Sequence, residues 1–315
     1  MQKTELAKQL SANLALRLPS EVWRTRFAPA PTGFLHLGHV VNAIHVWGIA
    51  RAFGGHVVLR IEDHDRQRCR ADFEDALLHD LDWLGFAPDV GATAEFRAGN
   101  SEFRQSDNGV RFETALIALD ERQLLYPCIC SRKNIEQQAR PSTSGELRYP
   151  GTCATRHVNP ATTTARRVRL ETIAQSFDDL RLGPQLQTPS EQCGDFLLRD
   201  RLGHFTYQFA VAVDDYEQRI DVIIRGEDLL ESTGRQLQLA RLMGRTQSPL
   251  FLHHDLLRRA DGLKLSKSLG DTGIGELRAR GMAVEQVIGQ AAFESGLIQE
   301  SVPITQQELP NLFRV

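Results

Sequence analysis

The sequence predicts an α/β fold, with helices packed on a parallel sheet, and three observations indicate it. A continuous apolar run of strand length at 56–61 lies between two segments with helical apolar spacing. A second such run at 220–224 comes before a helical segment at 237–242. Each run ends in charged residues, Glu62-Asp63 after the first and Arg225 to Asp228 after the second. Because strand and helix signals alternate, the pattern favours βαβ units.

The other elements follow from local apolar spacing. Leucines at every fourth position from Leu6 to Leu18 predict an N-terminal helix, which Pro19 stops. The run from Phe205 to Val213 predicts a further strand. Helices are predicted by apolar faces at 40–47, 73–84 and 237–242, with glycines 54, 85 and 244 as their stops. Residues 126–193 interrupt the alternation of strand and helix signals, so we expect one α/β domain split by an insertion.

The expected organisation has five parts. They are an N-terminal extension without assigned function at 1–22, the first half of the α/β domain at 23–125, an inserted subdomain at 126–193, the second half at 194–262, and a Lys-Ser loop with a helical C-terminal piece at 263–315.

Length and composition limit the classes of function that the chain can have. The chain has 315 residues, enough for about two domains. Basic residues number 37 and acidic residues 40, so a nucleic-acid partner has to meet a local basic patch. No apolar run approaches the ~18 residues of a membrane helix, and no secretory signal is visible, so we expect a cytoplasmic protein that contacts no membrane. Five cysteines, an odd number, argue against a disulfide framework and for metal binding or catalysis.

Two separated motifs suggest phosphate chemistry. His36-Leu37-Gly38-His39 follows a turn-rich stretch, and a helix that begins here offers free N–H groups to an anion. Gly38 lets a ligand approach the backbone, and both imidazoles can stabilise charge on an attacked α-phosphate. Lys264 and Lys267 lie in a loop that can close on a pyrophosphate leaving group. Alternatively, the histidines only cap a helix and the lysines belong to a solvated turn.

Together these motifs resemble the HIGH and KMSKS signatures of class I aminoacyl-tRNA synthetases. The stretch from Arg26 to Gly33 resembles the opening of the glutamyl branch, and Arg60-Ile61-Glu62-Asp63 resembles its second landmark. The resemblance implies a Rossmann-type catalytic domain split by a zinc-containing insertion, with Mg-ATP as a substrate. It implies ATP contacts at His36, Gly38, His39 and Lys267, and catalytic roles for His36, His39, Lys264 and Lys267.

Charge arithmetic is consistent with glutamate as the amino acid. Two carboxylates and one ammonium need two cationic partners and one anionic partner, and Arg26, Arg225 and Glu62 supply them. A buried arginine that has to pair a carboxylate would reject glutamine. The resemblance places glutamate against Arg26, Phe27, Ala28, Pro29, Ala30, Glu62, Tyr207 and Arg225. A structural ion pair between Glu62 and Arg225 is the alternative.

Cys128, Cys130 and Cys153 have the clustering of a tetrahedral zinc site, which would be structural because four protein ligands leave no open position. By residue type His157 is the ordinary fourth ligand. The resemblance implies Tyr149 instead, in the run Tyr149-Pro150-Gly151-Thr152-Cys153. A set of reduced structural thiols is the alternative.

Only 47 residues follow Ser268, too few for a large anticodon-binding region. The resemblance is therefore to the short glutamyl-Q tRNA(Asp) synthetase family. It implies tRNA-independent activation of L-glutamate and its transfer to queuosine in tRNA(Asp). A truncated glutamyl-tRNA synthetase that charges a 3′ end, a small nucleotidyltransferase and a non-catalytic paralogue are the rivals. Candidate RNA contacts are Arg132, Lys133, Arg166, Arg167, Arg169, Arg258 and Arg259.

Overall fold

The computed structural model describes residues 2–138, 141–156, 158–159, 164–257 and 272–314. The first part of the chain supplies two parallel strands and the helices around them. Its elements are α1 (Glu5–Arg17), β1 (Trp23–Phe27), α2 (Leu37–Phe53), β2 (Gly55–Leu59), α3 (Ala71–Leu84), α4 (Thr93–Ala98), a 3₁₀ turn (Gln105–Asn108) and α5 (Gly109–Glu121). β1 pairs with β2 in parallel, with Arg26 opposite Val58.

The middle of the chain is built mainly from short antiparallel strands. Its elements are β3 (Leu125–Cys128), α6 (Arg132–Gln138), β4 (Ala165–Val168), β5 (Gln175–Asp179), β6 (Gly183–Gln187), α7 (Pro189–Gln192) and β7 (Leu197–Arg199). β3, β4 and β7 form one antiparallel sheet. β5 and β6 form a hairpin that joins the next sheet.

The last part returns to alternating helices and strands. Its elements are α8 (Tyr207–Glu217), β8 (Val222–Gly226), a 3₁₀ turn (Glu227–Ser232), α9 (Thr233–Leu242), β9 (Leu250–His254), α10 (Ile274–Ala279), α11 (Val284–Glu294) and a final 3₁₀ turn (Gln306–Leu312). The four-stranded sheet that the β5–β6 hairpin joins has the order β6-β5-β9-β8, and β5, β9 and β8 run parallel. β8 borders β1, because the Asp221 N–H donates to the Arg24 carbonyl at 2.9 Å.

This arrangement brings the carboxyl ends of β1, β2 and β8 to one edge, where open α/β sheets bind ligands. Arg26 and Arg225 each precede the last residue of a strand, and Glu62 follows the end of β2. The predicted alternation is confirmed, as are the strands near 56–61 and 220–224. The predicted domain boundaries remain predictions.

The strand predicted from Phe205 to Val213 is wrong, because this segment begins α8. Residues Phe209 to Val213 are buried without interruption, so the run lacks the polar positions that reveal a helical period. A short apolar run of this kind is indistinguishable by periodicity from a buried strand. Tyr207 is therefore the first residue of a helix.

The N-terminal helix is confirmed as α1, which Thr4 caps by accepting from the Ala7 N–H at 3.2 Å. Leu10 and Leu14 lie in the main hydrophobic core, whereas Leu6 is half exposed. Among the described residues, no helix has the length and apolar character needed to cross a membrane.

Candidate active site

A network of buried charges lies at the edge where β1, β2 and β8 end. Asp215, from α8, accepts hydrogen bonds from Arg26 Nε at 3.1 Å and Arg60 Nη1 at 2.8 Å. Arg60 Nη2 lies 2.9 Å from Glu62 Oε1. Burial raises the pKa of Asp215, but the charges of Arg26 and Arg60 outweigh burial and bring it to about 2. Asp215 therefore stays ionised and holds both guanidinium groups in place.

Arg225 is buried in this network without a carboxylate partner. No ion pair between described residues includes it. Its Nη1 donates to Gln236 Oε1 at 2.6 Å, and its Nη2 donates to Thr233 Oγ1 at 2.8 Å. Burial lowers the pKa of Arg225 to about 10. Since its acceptors are neutral, the buried cation is an electrostatic site for an anion.

Tyr207 and Glu62 lie beside the same cation. The charges of Glu62 and Arg225 both influence the pKa of the Tyr207 phenol, which burial and the Glu62 charge raise. The hydroxyl therefore stays protonated and can donate to a carboxylate. Glu62 pairs with Arg60, so the alternative of an ion pair between Glu62 and Arg225 is wrong.

The segment 27–30 runs alongside residues 60–62. The Arg60 N–H donates to the Phe27 carbonyl at 3.0 Å, and the Glu62 N–H donates to the Pro29 carbonyl at 3.1 Å. Phe27 and Pro29 are buried, and Ala28 and Ala30 are half-buried. Among the predicted glutamate contacts, Arg26, Glu62, Tyr207 and Arg225 are close enough to influence one another's charge, and Phe27, Ala28, Pro29 and Ala30 lie along the segment that pairs with Arg60 and Glu62.

His36 and His39 form the cap of α2. His36 Nδ1 accepts from the Gly38 N–H, and His39 Nδ1 accepts from the His36 N–H, both at 3.1 Å. The ring centroids lie 4.1 Å apart. Because each Nδ1 is an acceptor, a neutral ring carries its proton on Nε2. A Cβ at Gly38 would lie 3.0 Å from the His36 ring, so glycine makes room for this cap. Capping therefore orients two N–H donors, and the capping alternative and the catalytic prediction are compatible.

Lys264 and Lys267 lie outside the described residues, as do His157, Arg258 and Arg259. The segments that flank 258–271 both contact the α2 region. The Ile274 N–H donates to the Leu35 carbonyl at 2.9 Å, and His254 Nε2 lies 3.3 Å from Asn42 Oδ1. The chain that follows the lysine-bearing motif thus pairs beside the histidine cap, and the chain that precedes it reaches α2 at Asn42.

The predicted metal ligands form a second cluster, near the end of β3. The Sγ atoms of Cys128, Cys130 and Cys153 lie within 4.8 Å of one another, and Cys130 and Cys153 are 3.5 Å apart. The Tyr149 hydroxyl lies 3.6 Å from Cys128 Sγ and 3.7 Å from Cys130 Sγ. Ligands about 2.3 Å from a tetrahedral ion are about 3.8 Å apart, so this donor set fits a metal.

Arg167 lies against this cysteine cluster, which consists of Cys128, Cys130, Tyr149 and Cys153. Its guanidinium stacks 3.7 Å from the Tyr149 ring centroid, and its Nε donates to Cys128 Sγ at 3.3 Å. The side chain is buried, so the prediction that Arg167 contacts RNA is wrong. Arg132 and Lys133 are exposed.

Sequence reasoning missed several buried residues of these two sites. Arg60 lies within the apolar run at 56–61, and Asp215 comes shortly after the buried residues Phe209 to Val213 of α8. A charged residue inside or next to such a run is a usable signal, since it needs a buried partner. Arg60 and Arg167 were named from the sequence without these roles, and Asp214 and Asp215 were missed altogether.

The comparisons with known proteins agree with this geometry. Residues 22–290 match the family described as tRNA synthetases class I (E and Q), catalytic domain. A glutamyl-Q tRNA(Asp) synthetase of Symbiobacterium thermophilum is 38% identical over 304 residues, 91% of each chain. Glutamate–tRNA ligase 2 of Syntrophus aciditrophicus is 35% identical over 300 residues, which are 90% of this chain but 60% of the ligase.

Among solved structures, a glutamate tRNA ligase from Elizabethkingia meningosepticum in complex with its amino acid has a TM-score of 0.73 at 24% identity. The match covers 94% of this chain and 65% of that chain, and it supports the fold. The predicted class I synthetase catalytic fold is thereby confirmed. The chain belongs to the class I tRNA synthetases for glutamate and glutamine and, within them, to the glutamyl-Q tRNA(Asp) synthetase family.

Proposed function

We propose that this chain activates L-glutamate with ATP in the absence of tRNA and then transfers the glutamyl group to queuosine in tRNA(Asp). The observation that carries the proposal is Arg225, a buried cation with neutral partners at the ligand-binding edge of the sheet. Family membership supplies the reaction class and the acceptor RNA.

The pocket suits a doubly anionic amino acid. One glutamate carboxylate pairs with Arg225 and accepts from the Tyr207 hydroxyl. Glu62 uses Oε1 for Arg60, which leaves Oε2 to receive the substrate ammonium. Arg26 supplies positive charge for the other carboxylate while Asp215 holds its Nε. Phe27 to Ala30 form the wall along which the amino acid lies.

In the first step a carboxylate oxygen of glutamate attacks the α-phosphorus of ATP, and the bond to the pyrophosphate breaks. The Nε2 N–H groups of His36 and His39 donate to the phosphate oxygens as charge develops. Lys264 and Lys267, predicted from their motif, neutralise the leaving pyrophosphate, and Mg²⁺ accompanies the ATP. Gly38 allows the phosphates to approach the start of α2.

In the second step a hydroxyl of the modified base attacks the glutamyl carbonyl, and AMP leaves. No described side chain in the pocket is placed as an obvious base, so positioning is the main contribution of the protein.

The exposed side chains of Arg132 and Lys133 are candidates for contacts with the phosphates of the tRNA. We expect the affinity for tRNA to fall steeply as the salt concentration rises.

The cysteine cluster is proposed to hold one zinc ion through Cys128, Cys130, Tyr149 and Cys153. Zinc favours thiolates in tetrahedral sites, and four protein ligands make the ion structural. Bound there, zinc would tie the end of β3 to the segment at 149–153.

ATP–pyrophosphate exchange without tRNA tests the function. We expect exchange with glutamate and little with glutamine or aspartate. Arg225→Met should lower kcat/KM for glutamate about 100-fold or more, because a substrate carboxylate is left without its buried cation. Arg51→Met removes an arginine paired with Asp89 elsewhere and should leave the rate unchanged. Equal rates for both variants, or no wild-type exchange without tRNA, would contradict the proposal.

The acceptor is tested separately. Radiolabelled glutamate should be found on the anticodon nucleotide of queuosine-containing tRNA(Asp). Label on the 3′ adenosine would instead favour a glutamate–tRNA ligase activity.

A further inference from the structure

A histidine and an aspartate that the proposed reaction does not use lie directly behind Arg225. Asp179, His253 and Arg225 stand on three adjacent parallel strands, β5, β9 and β8, and Arg225 is opposite His253 in the register. Asp179 and His253 are completely buried. Buried ionisable groups of this kind cost free energy unless each is paired, so their partners define what they do.

The partners of Asp179 fix its charge state. Its Oδ1 accepts from the backbone N–H groups of Arg181 at 2.9 Å and Leu182 at 2.8 Å. Its Oδ2 accepts from the backbone N–H of His253 at 3.0 Å. Burial raises the pKa of Asp179, but these hydrogen bonds and His253 outweigh burial, so the net shift is downward. Asp179 is therefore an acceptor at both oxygens.

The charge state of Asp179 in turn fixes the histidine tautomer. His253 Nδ1 lies 2.7 Å from Asp179 Oδ2. Since this oxygen only accepts, Nδ1 carries the proton, and a neutral His253 has its lone pair on Nε2. Burial lowers the pKa of His253 to about 4, against the opposing effect of Asp179. The ring is thus neutral near pH 7, with Nε2 as an acceptor.

That acceptor faces Arg225. The Arg225 Nε–H donates to His253 Nε2 at 3.0 Å, while Nη2 donates to Thr233 Oγ1. Gln236 holds Nη1. With all three guanidinium nitrogens tied to neutral acceptors, the plane of the group is fixed and its positive charge is retained.

We propose that Asp179 and His253 are positioning residues for the substrate carboxylate. Asp179 fixes the Nδ1–H tautomer of His253, and His253 Nε2 holds the Arg225 guanidinium in the orientation that meets the substrate. The inference rests on the proposed function, since it assigns Arg225 to a glutamate carboxylate.

Two variants of similar polarity separate this role from a purely structural one. His253→Gln places an acceptor near the Nε2 position and lacks the Nδ1 donor. His253→Asn places a donor near Nδ1, keeps the bond to Asp179 and lacks the acceptor for Arg225. A positioning role predicts that the Asn variant is the more defective, whereas a role in tying β9 to β5 predicts the reverse.

Exchange kinetics give the readout. For His253→Asn we expect KM for glutamate to rise about 10- to 100-fold, the effect of one hydrogen bond to a charged group, with KM for ATP unchanged. His253→Gln should recover most of this loss, and His56→Asn, at an exposed histidine of β2, should match the wild type. Equal KM values for the Asn and Gln variants, or a worse Gln variant, would overturn the proposal.

A measurement on the wild-type protein covers the case in which the variants do not fold. Nitrogen-15 NMR of labelled histidines should show His253 as the neutral Nδ1–H tautomer at pH 7. An Nε2–H tautomer or an imidazolium would defeat the positioning role. Absence of glutamate-dependent exchange in the wild type would instead defeat the proposed function, so the two failures are distinguishable.

Discussion

Two sites reach an ordered geometry in opposite ways: the cysteine cluster and the pocket of buried charges that contains Arg26, Arg60, Glu62, Asp215 and Arg225. In the pocket the protein supplies both signs of charge: Asp215 joins Arg26 and Arg60, and Glu62 joins Arg60. In the cysteine cluster three thiols and a phenol face one another, and among the described residues Arg167 is the cation that touches them. The charges of the pocket are thus held by partners within the chain, whereas the cysteine cluster has the donor set that the proposed zinc ion would complete.

The largest expected effect is at the cysteine cluster. Cys153→Ser removes one thiolate, and we expect the purified variant to retain little metal and to unfold at a lower temperature. The physical reason is that a structural zinc site contributes about 10–16 kcal/mol of binding free energy, which is coupled to folding. Metal per chain after dialysis, measured by mass spectrometry, checks the result.

Cys193→Ser is the matched control, because Cys193 is a buried thiol in a different core, where its Sγ faces the Pro189 carbonyl at 3.3 Å. It should keep the wild-type metal content. If the two variants retain equal amounts of metal, the cysteine cluster is not a metal site.

The next effect is at the pocket. Asp215→Asn should lower the free energy of unfolding by about 3–5 kcal/mol at pH 7, because it leaves Arg26 and Arg60 buried without their shared carboxylate. The pKa of Asp215 is about 2 in the folded chain, below the ~3.9 of an unfolded aspartate. The contribution of the Asp215 carboxylate to the free energy of unfolding is therefore fully present above about pH 4 and is lost as the pH falls towards 2.

Urea unfolding at several pH values tests this dependence. The difference between the wild type and Asp215→Asn should be constant from pH 7 to 5 and should shrink below pH 4. Asp82→Asn, at a half-exposed carboxylate paired with Arg97, should cost less than about 1 kcal/mol. A difference that persists unchanged at pH 3 would argue that Asp215 acts through packing rather than charge.

The smallest effect concerns Arg167. Lysine keeps the charge but cannot stack on Tyr149 while it donates to both Cys128 Sγ and the Asp195 carbonyl. We expect Arg167→Lys to weaken metal affinity about tenfold, as for other residues behind the ligands of metal sites. Competition with a chromogenic chelator measures it. Arg166→Lys changes the neighbouring residue, which faces Asp120, and should leave the metal affinity unchanged. Equal losses of metal affinity in both variants would show that Arg167 does not support the metal ligands.

Much of the site was predictable because its signals are local. Glu62 and Arg225 stand at strand ends that apolar runs reveal, and parallel strands bring their carboxyl ends to one edge. Arg26 was assigned by its charge and by the family resemblance. The spacing of His36 and His39 fits one helix start, and the cysteines cluster within a short stretch. The family resemblance was carried by the same residues and is confirmed by the match over 22–290.

Other features depended on contacts between distant segments. A buried helix and a buried strand have the same apolar run, so only packing decided that Phe209 to Val213 are helical. Asp215 meets Arg60, and Asp179 meets His253, across segments that no periodicity connects. The sequence by itself determined which chemical groups stand at the strand ends and the helix cap. The tertiary structure decided which of those charges are paired with an opposite charge and which, as at Arg225, has neutral partners among the described residues, because buried charges are balanced by whatever the fold places beside them.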